Sequence, residues 1–140
     1  MNEKDWERRK ALQSKYRFLA PTDLMEGLMA FGFECADGWL DILEDLFENI
    51  NKIVERDNLI EFQVVQVKEK FGRLCVYTRN THKEIEQLIR AAEKKAAVTC
   101  EDCGAKGETQ EIGHWYRTQC PVCHSKRLAK RMGIEPSGVN

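Results

Sequence analysis

Long apolar runs are missing from this chain. None approaches the roughly 20 residues that cross a bilayer as a helix, so no membrane partner is expected. The first residues, Met1-Asn2-Glu3-Lys4-Asp5-Trp6, carry too much charge to read as a secretion signal. Internal repeats and low-complexity tracts are lacking as well. Net charge is close to nil, at −1, which argues against wrapping nucleic acid by bulk charge alone. Histidine is scarce: there are three, and none stands at a defined spacing from a carboxylate where general acid–base chemistry would need it.

What is present is ordinary for a folded soluble protein, with 42% hydrophobic and 32% charged residues. A length of 140 residues suffices for one core, or one core plus a small metal-stabilised lobe. The near-neutral balance hides segregation. Between Glu34 and Glu61, nine acidic side chains face only Lys52 and Arg56, whereas residues 62–98 hold eight basic groups against four acidic ones. Asp41, Glu44 and Glu48 are spaced three and four apart, so they share one helix face and form a candidate strip for a basic partner.

The most specific signal is cysteine. Cys100-x2-Cys103 is followed, after sixteen residues, by Cys120-x2-Cys123. A two-residue spacer lets both thiolates of a knuckle face one ion, and two knuckles complete the tetrahedral set of a structural Zn²⁺. His124, directly after Cys123, is the alternative fourth ligand, and His114 is placed to hydrogen-bond a thiolate. Four thiolates leave no open position for substrate or water, so this site speaks for architecture rather than catalysis. Cys35 and Cys75 are left over. Unpaired thiols beside zinc thiolates fit a reducing, cytoplasmic setting.

Periodicity gives the rest. Trp6, Leu12, Tyr16 and Leu19 predict an amphipathic helix over 5–19, with a short helix capped by Thr22 or Asp23 running to Met29. Residues 31–39 hold two glycines and three aromatic residues, and read as a compact connection with its rings in the core. Asp37 is the expected cap of a strong helix over 38–57, whose stripe runs Leu40, Leu43, Phe47, Ile50 and Val54. Two β-favouring runs, Phe62–Val67 and Leu74–Thr78, flank Glu69-Lys70-Phe71-Gly72 as an antiparallel hairpin. Thr81 and Glu84 match a capping box for a helix to about Val98. The expected class is α+β: a helical N-terminal half with a β-hairpin packed on a long helix, fused to a C-terminal zinc ribbon. On this pattern the chain divides into a core over 1–98, a ribbon with a short basic helix over 99–132, and a flexible tail over 133–140.

Other charged groups invite chemistry. Glu34, Asp37 and Asp41 form a carboxylate group near Cys35, the basis of a metal-dependent nuclease reading, though capping and a solvated face account for them. Lys68, Lys70 and Arg73 surround Phe71, and Lys126, Arg127, Lys130 and Arg131 form a second basic patch; either could contact nucleic acid.

Phe33-Glu34-Cys35-Ala36-Asp37-Gly38-Trp39, Gln66-Val67-Lys68-Glu69-Lys70-Phe71-Gly72-Arg73-Leu74 and Cys100-Glu101-Asp102-Cys103-Gly104 together resemble a family of small phage and prophage proteins. Its members carry FECGDGW, QVKEKFGGLRFY and a CxxCG knuckle ahead of a tryptophan-containing hairpin. Ala36 departs from the family's glycine, Cys75-Val76-Tyr77 from its Arg-Phe-Tyr, and His114 is additional. The resemblance covers residues 31–123 and implies the same four cysteine ligands and a bacterial host cytoplasm. The function expected from the sequence is a non-enzymatic, zinc-stabilised adaptor that binds a host or phage macromolecule, most readily a protein. A nucleic-acid-binding regulator is the alternative, and a nuclease the third. Oligomeric state is not encoded in any of these signals.

Overall fold

The computed structural model describes residues 3–23 and 25–134. The order is helix α1 (Glu3–Lys15), strand β1 (Phe33–Glu34), helix α2 (Leu40–Arg56), strands β2 (Gln63–Lys70) and β3 (Arg73–Arg79), helix α3 (Lys83–Ala96), strands β4 (Glu108–Ile112) and β5 (Trp115–Gln119), and helix α4 (Pro121–Arg131). The α+β class is as expected. The proposed tail beyond residue 134 lies outside the described residues.

The predicted stripe of α2 is buried at Leu40, Leu43, Leu46, Phe47 and Ile50, and α3 buries Ile85, Ile89, Ala92 and Ala96. They share one core with Val64, Val67, Leu74 and Val76 of the β2–β3 hairpin. Val64 and Val67 both point inward although three residues apart, because the register shifts between Val64 and Gln66. This bulge adds one residue to β2 and restores inward alternation for the following positions.

Several local expectations change. Helix α1 stops at Lys15, and a 3₁₀ turn over Arg17–Leu19 then inserts Phe18 and Leu19 into the core. Trp6 is half exposed, with the Lys10 ammonium over its ring. No α-helix forms from Thr22 to Met29 among the described residues. Asp23 instead accepts a hydrogen bond from the Met25 amide, an Asx turn that competes with helix initiation. Side-chain amides from Gln13 and Gln63 satisfy the carbonyls of Phe18, Leu19, Ala20 and Met29, which lets this irregular stretch pack down. Phe33 and Trp39 are buried as expected, but Phe31 is exposed. Phe33–Glu34 pairs in parallel with Val67–Lys68, adding a third strand to the hairpin. The cap of α3 is His82, whose Nδ1 accepts from the Glu84 amide, rather than Thr81.

Asp37 does not cap α2. The Arg9 guanidinium, brought to the interior by α1, donates to Asp37 Oδ1 at 2.6 and 3.0 Å and to the carbonyls of Phe33 and Cys35 at 2.9 and 2.7 Å. A buried guanidinium needs such saturation, and here it fixes the whole 33–37 connection.

Candidate metal centre and adjoining groove

Cys100 lies after α3, Cys120 follows β5 and caps α4, and Cys123 is in the first turn of α4. The ligand atoms of Cys100, Cys103, Cys120 and Cys123 all lie within 4.8 Å of one another, and Cys103 and Cys120 Sγ are 3.6 Å apart. A tetrahedron with metal–sulfur bonds of about 2.3 Å has edges near 3.8 Å, so the four sulfurs are positioned to hold a metal ion and are compatible with structural zinc. Backbone geometry prepares them. The Cys100 amide donates to the Ala105 carbonyl and the Gly104 amide to the Cys100 carbonyl, closing the first knuckle. In the second, the Cys123 amide donates to Cys120 Sγ at 3.4 Å and draws that thiol down to about 7.

Among the described residues the gathered metal-binding group is these four cysteines. His124 is outside it, half-buried, with Nδ1 lacking a hydrogen-bond partner. His114 sits exposed at the β4–β5 turn, outside the four-cysteine cluster. Burial pushes the Cys35 thiol up to about 12, which suits packing and not nucleophilic attack. Glu34, Asp37 and Asp41 turn to three separate partners: Gln66, Arg9 and Arg8.

The knuckle is joined to the core through residues 36–39, ahead of α2, and through the tip of the β2–β3 hairpin. The Gly38 amide donates to the Glu101 carbonyl at 2.7 Å, and a Cβ on Gly38 would run into the carbonyls of Cys100 and Glu101. The Trp39 indole, fully buried, donates to the Thr99 carbonyl at 2.9 Å. Glu101, only 2% exposed, accepts from the Ala36 amide at 2.9 Å, and burial raises its pKa. Its other oxygen has no hydrogen bond and lies 3.7 Å from Arg117. Arg117 pairs with Asp102, which also accepts from Gln119; Arg127 in turn donates to Gln119 and to the Trp115 carbonyl. The tip of the β2–β3 hairpin joins the same network, as Thr118 Oγ1 donates to the Gly72 carbonyl at 2.6 Å.

That junction leaves a groove of about 820 Å³ between the two hairpin tips. Lys68, Lys70, Phe71, Trp115, Tyr116 and Arg127 line it, together with Glu69, whose carboxylate accepts from the Gly72 amide at 2.6 Å. Phe71 is 69% exposed and Trp115 73%. Both turns have two residues at positive φ: Phe71 (54°) with Gly72 (81°), and Gly113 (53°) with His114 (70°). These are the mirror-type turns that match strand twist, yet an aromatic residue at such a φ is uncommon. Phe71 forms the turn as expected, with its ring presented to solvent.

Of the two predicted basic patches, Lys68, Lys70 and Arg127 meet in the groove. Arg131 packs against Gly113 at the ribbon turn. Arg73, Lys126 and Lys130 are exposed outside the lining. Sequence reasoning missed Trp115 and Tyr116 as surface groups because aromatic residues in a ribbon read as its small core. Asp41, Glu44 and Glu48 are exposed along α2, but Arg8 already pairs with the first two. No helix among the described residues is long and apolar enough to cross a membrane. Comparison with protein-family models, with curated proteins and with solved structures finds no match.

Proposed function

We propose that this chain is a non-enzymatic, zinc-stabilised binding module whose working face is the groove between the two hairpin tips, and that its partner is nucleic acid. One observation carries the reading: lysines of the β2–β3 hairpin and Arg127 of α4, distant in sequence, share a concave surface with exposed aromatic rings. Lys68 and Lys70 make no ion pair among the described residues, so their charge is available to phosphate. Zinc is the metal that best suits four thiolates in a closed tetrahedral site. Its role in this reading is to hold β5 and α4, which supply half of the groove. The bacterial cytoplasm and the phage setting rest on the resemblance alone.

Capture of a basic protein by Asp41, Glu44 and Glu48 ranks second, because Arg8 partly neutralises that strip. An electrophoretic shift assay with mixed-sequence DNA and RNA separates the two. Lys68→Glu with Lys70→Glu should abolish the shift, while reversing Asp41, Glu44 and Glu48 to lysine should leave or strengthen it. No shift with the unaltered protein at low salt overturns the reading.

A further inference from the structure

The groove carries more than charge. A duplex offers a protein its phosphates and groove edges, and its base faces are covered by stacking. Unpaired bases expose those faces, and flat aromatic side chains at a basic surface are what hold them. Here Phe71 and Trp115 stand exposed at the tips of the two hairpins that bound one groove, which Tyr116 of β5 also lines. Phe71 is held at a φ of 54°, where a bulky residue is disfavoured, at the centre of a turn that glycine or asparagine would fill with less strain. The groove is fixed beneath the rings, since Thr118 bonds the Gly72 carbonyl and Arg127 bonds the Trp115 carbonyl. Rings on rigid, pre-formed tips lose little freedom on binding. The charge is of the matching sign: Lys68 and Lys70 on one wall and Arg127 on the other, with Glu69 turned to the Gly72 amide.

We infer that the groove is a single-strand site, in which Phe71 and Trp115 stack unpaired bases while Lys68, Lys70 and Arg127 hold the flanking phosphates. The inference rests on the nucleic-acid reading above and narrows it to one class of strand.

Fluorescence anisotropy of the zinc-loaded full chain with labelled dT20, rU20 and a 20-base-pair duplex tests it. Both single strands should bind roughly tenfold or more tighter than the duplex, with quenching of tryptophan emission. Phe71→Asn and Trp115→Ala should each weaken dT20 binding by roughly tenfold, the range expected for loss of one stacked base. Phe71→Asn keeps a residue that tolerates the turn, and Trp115 is exposed, so metal content and thermal midpoint serve as controls that both variants remain folded. Trp115→Ala should lose the quenching and Trp6→Phe should keep it. Lys68→Gln and Lys70→Gln should each flatten the log–log salt slope by about 0.7. Equal or tighter binding of the duplex, or ring variants that bind dT20 normally, overturns the single-strand site and leaves the nucleic-acid reading standing. Failure to bind any of the three probes overturns both, and tight binding of polyglutamate in their place would make the partner an acidic protein.

Discussion

The two halves of the molecule are held together by different physics. Before residue 98, twenty-three buried apolar residues form one continuous cluster from the three helices, the three-stranded sheet and the turns between them. After it, Ile112 and two cysteines are the buried apolar residues among those described, and α4 buries none. The first half can rely on the area it removes from water. The second cannot; what it has instead are four sulfurs positioned to hold a metal ion and a chain of polar contacts through Glu101, Arg117, Asp102, Gln119 and Arg127. A lobe built this way leaves its aromatic residues unused by the core, which is why Trp115 and Tyr116 remain at the surface.

The largest effect should come from the metal. We expect one zinc per chain on elemental analysis of protein purified without added metal. Coordination by four thiolates supplies about 10–16 kcal/mol in small zinc modules. Chelation, or Cys103→Ser, should therefore open residues 100–124 to protease while residues 40–56 stay protected. If protection is lost equally in both segments, the contrast between the halves is false and they form one cooperative unit. Absence of metal, with all six cysteines alkylated under native conditions, would remove its basis.

Trp39 tests the seam. Its ring is fully buried in the core, and its indole nitrogen holds the Thr99 carbonyl where the chain enters the knuckle. Trp39→Ala should cost about 3–5 kcal/mol in chemical denaturation. It should also speed zinc release to a chelator, since the Thr99 carbonyl loses its donor. A large stability loss with unchanged release would show that the knuckle stands without the core.

Much of this arrangement was legible in the sequence, and the parts that were not share a cause. Helices α2 and α3 announce themselves by apolar period, and the metal set by its paired spacing, because both signals are local. The meeting of Gly38 with Glu101, and of Gly72 with Thr118, depends on close approach between distant segments. A glycine reveals that something fits against it, never what. The two-residue β1 is too short for a pattern, and the bulge near Val65 disguises alternation in β2. Asp37 looked like a cap since it precedes a helix; the partner that claims it, Arg9, sits 28 residues away. The groove was present in the sequence as two basic patches, and only the fold makes Lys68, Lys70 and Arg127 neighbours.

A smaller effect is expected at Glu101. Glu101→Ala should cost about 1–3 kcal/mol, because the half-buried Ala36 amide would lose its acceptor. Glu101→Gln keeps an acceptor for that amide and removes a charge that burial disfavours, so its stability should stay close to that of the native chain. Denaturation midpoints of the two variants decide the matter. An alanine variant as stable as the glutamine one would mean that this carboxylate contributes nothing to joining the halves.

The smallest change in stability, and the most informative, is expected at Phe71. Its φ of 54° places a bulky ring in a conformation that costs about 1 kcal/mol or more, while Asn-Gly is the pair such a turn prefers. The ring is 69% exposed, so little packing is lost with it. Phe71→Asn should therefore raise the thermal midpoint slightly or leave it unchanged. A residue kept for folding would behave in the opposite sense, falling in stability when replaced. If the variant unfolds more readily by 2 kcal/mol or so, Phe71 belongs to the hairpin's own packing, and the strain at its backbone has a structural origin. If stability holds while dT20 binding drops, the tip is strained in order to present the ring, and the binding face is shared: the apolar half supplies Phe71, Lys68 and Lys70, and the polar half Trp115 and Arg127.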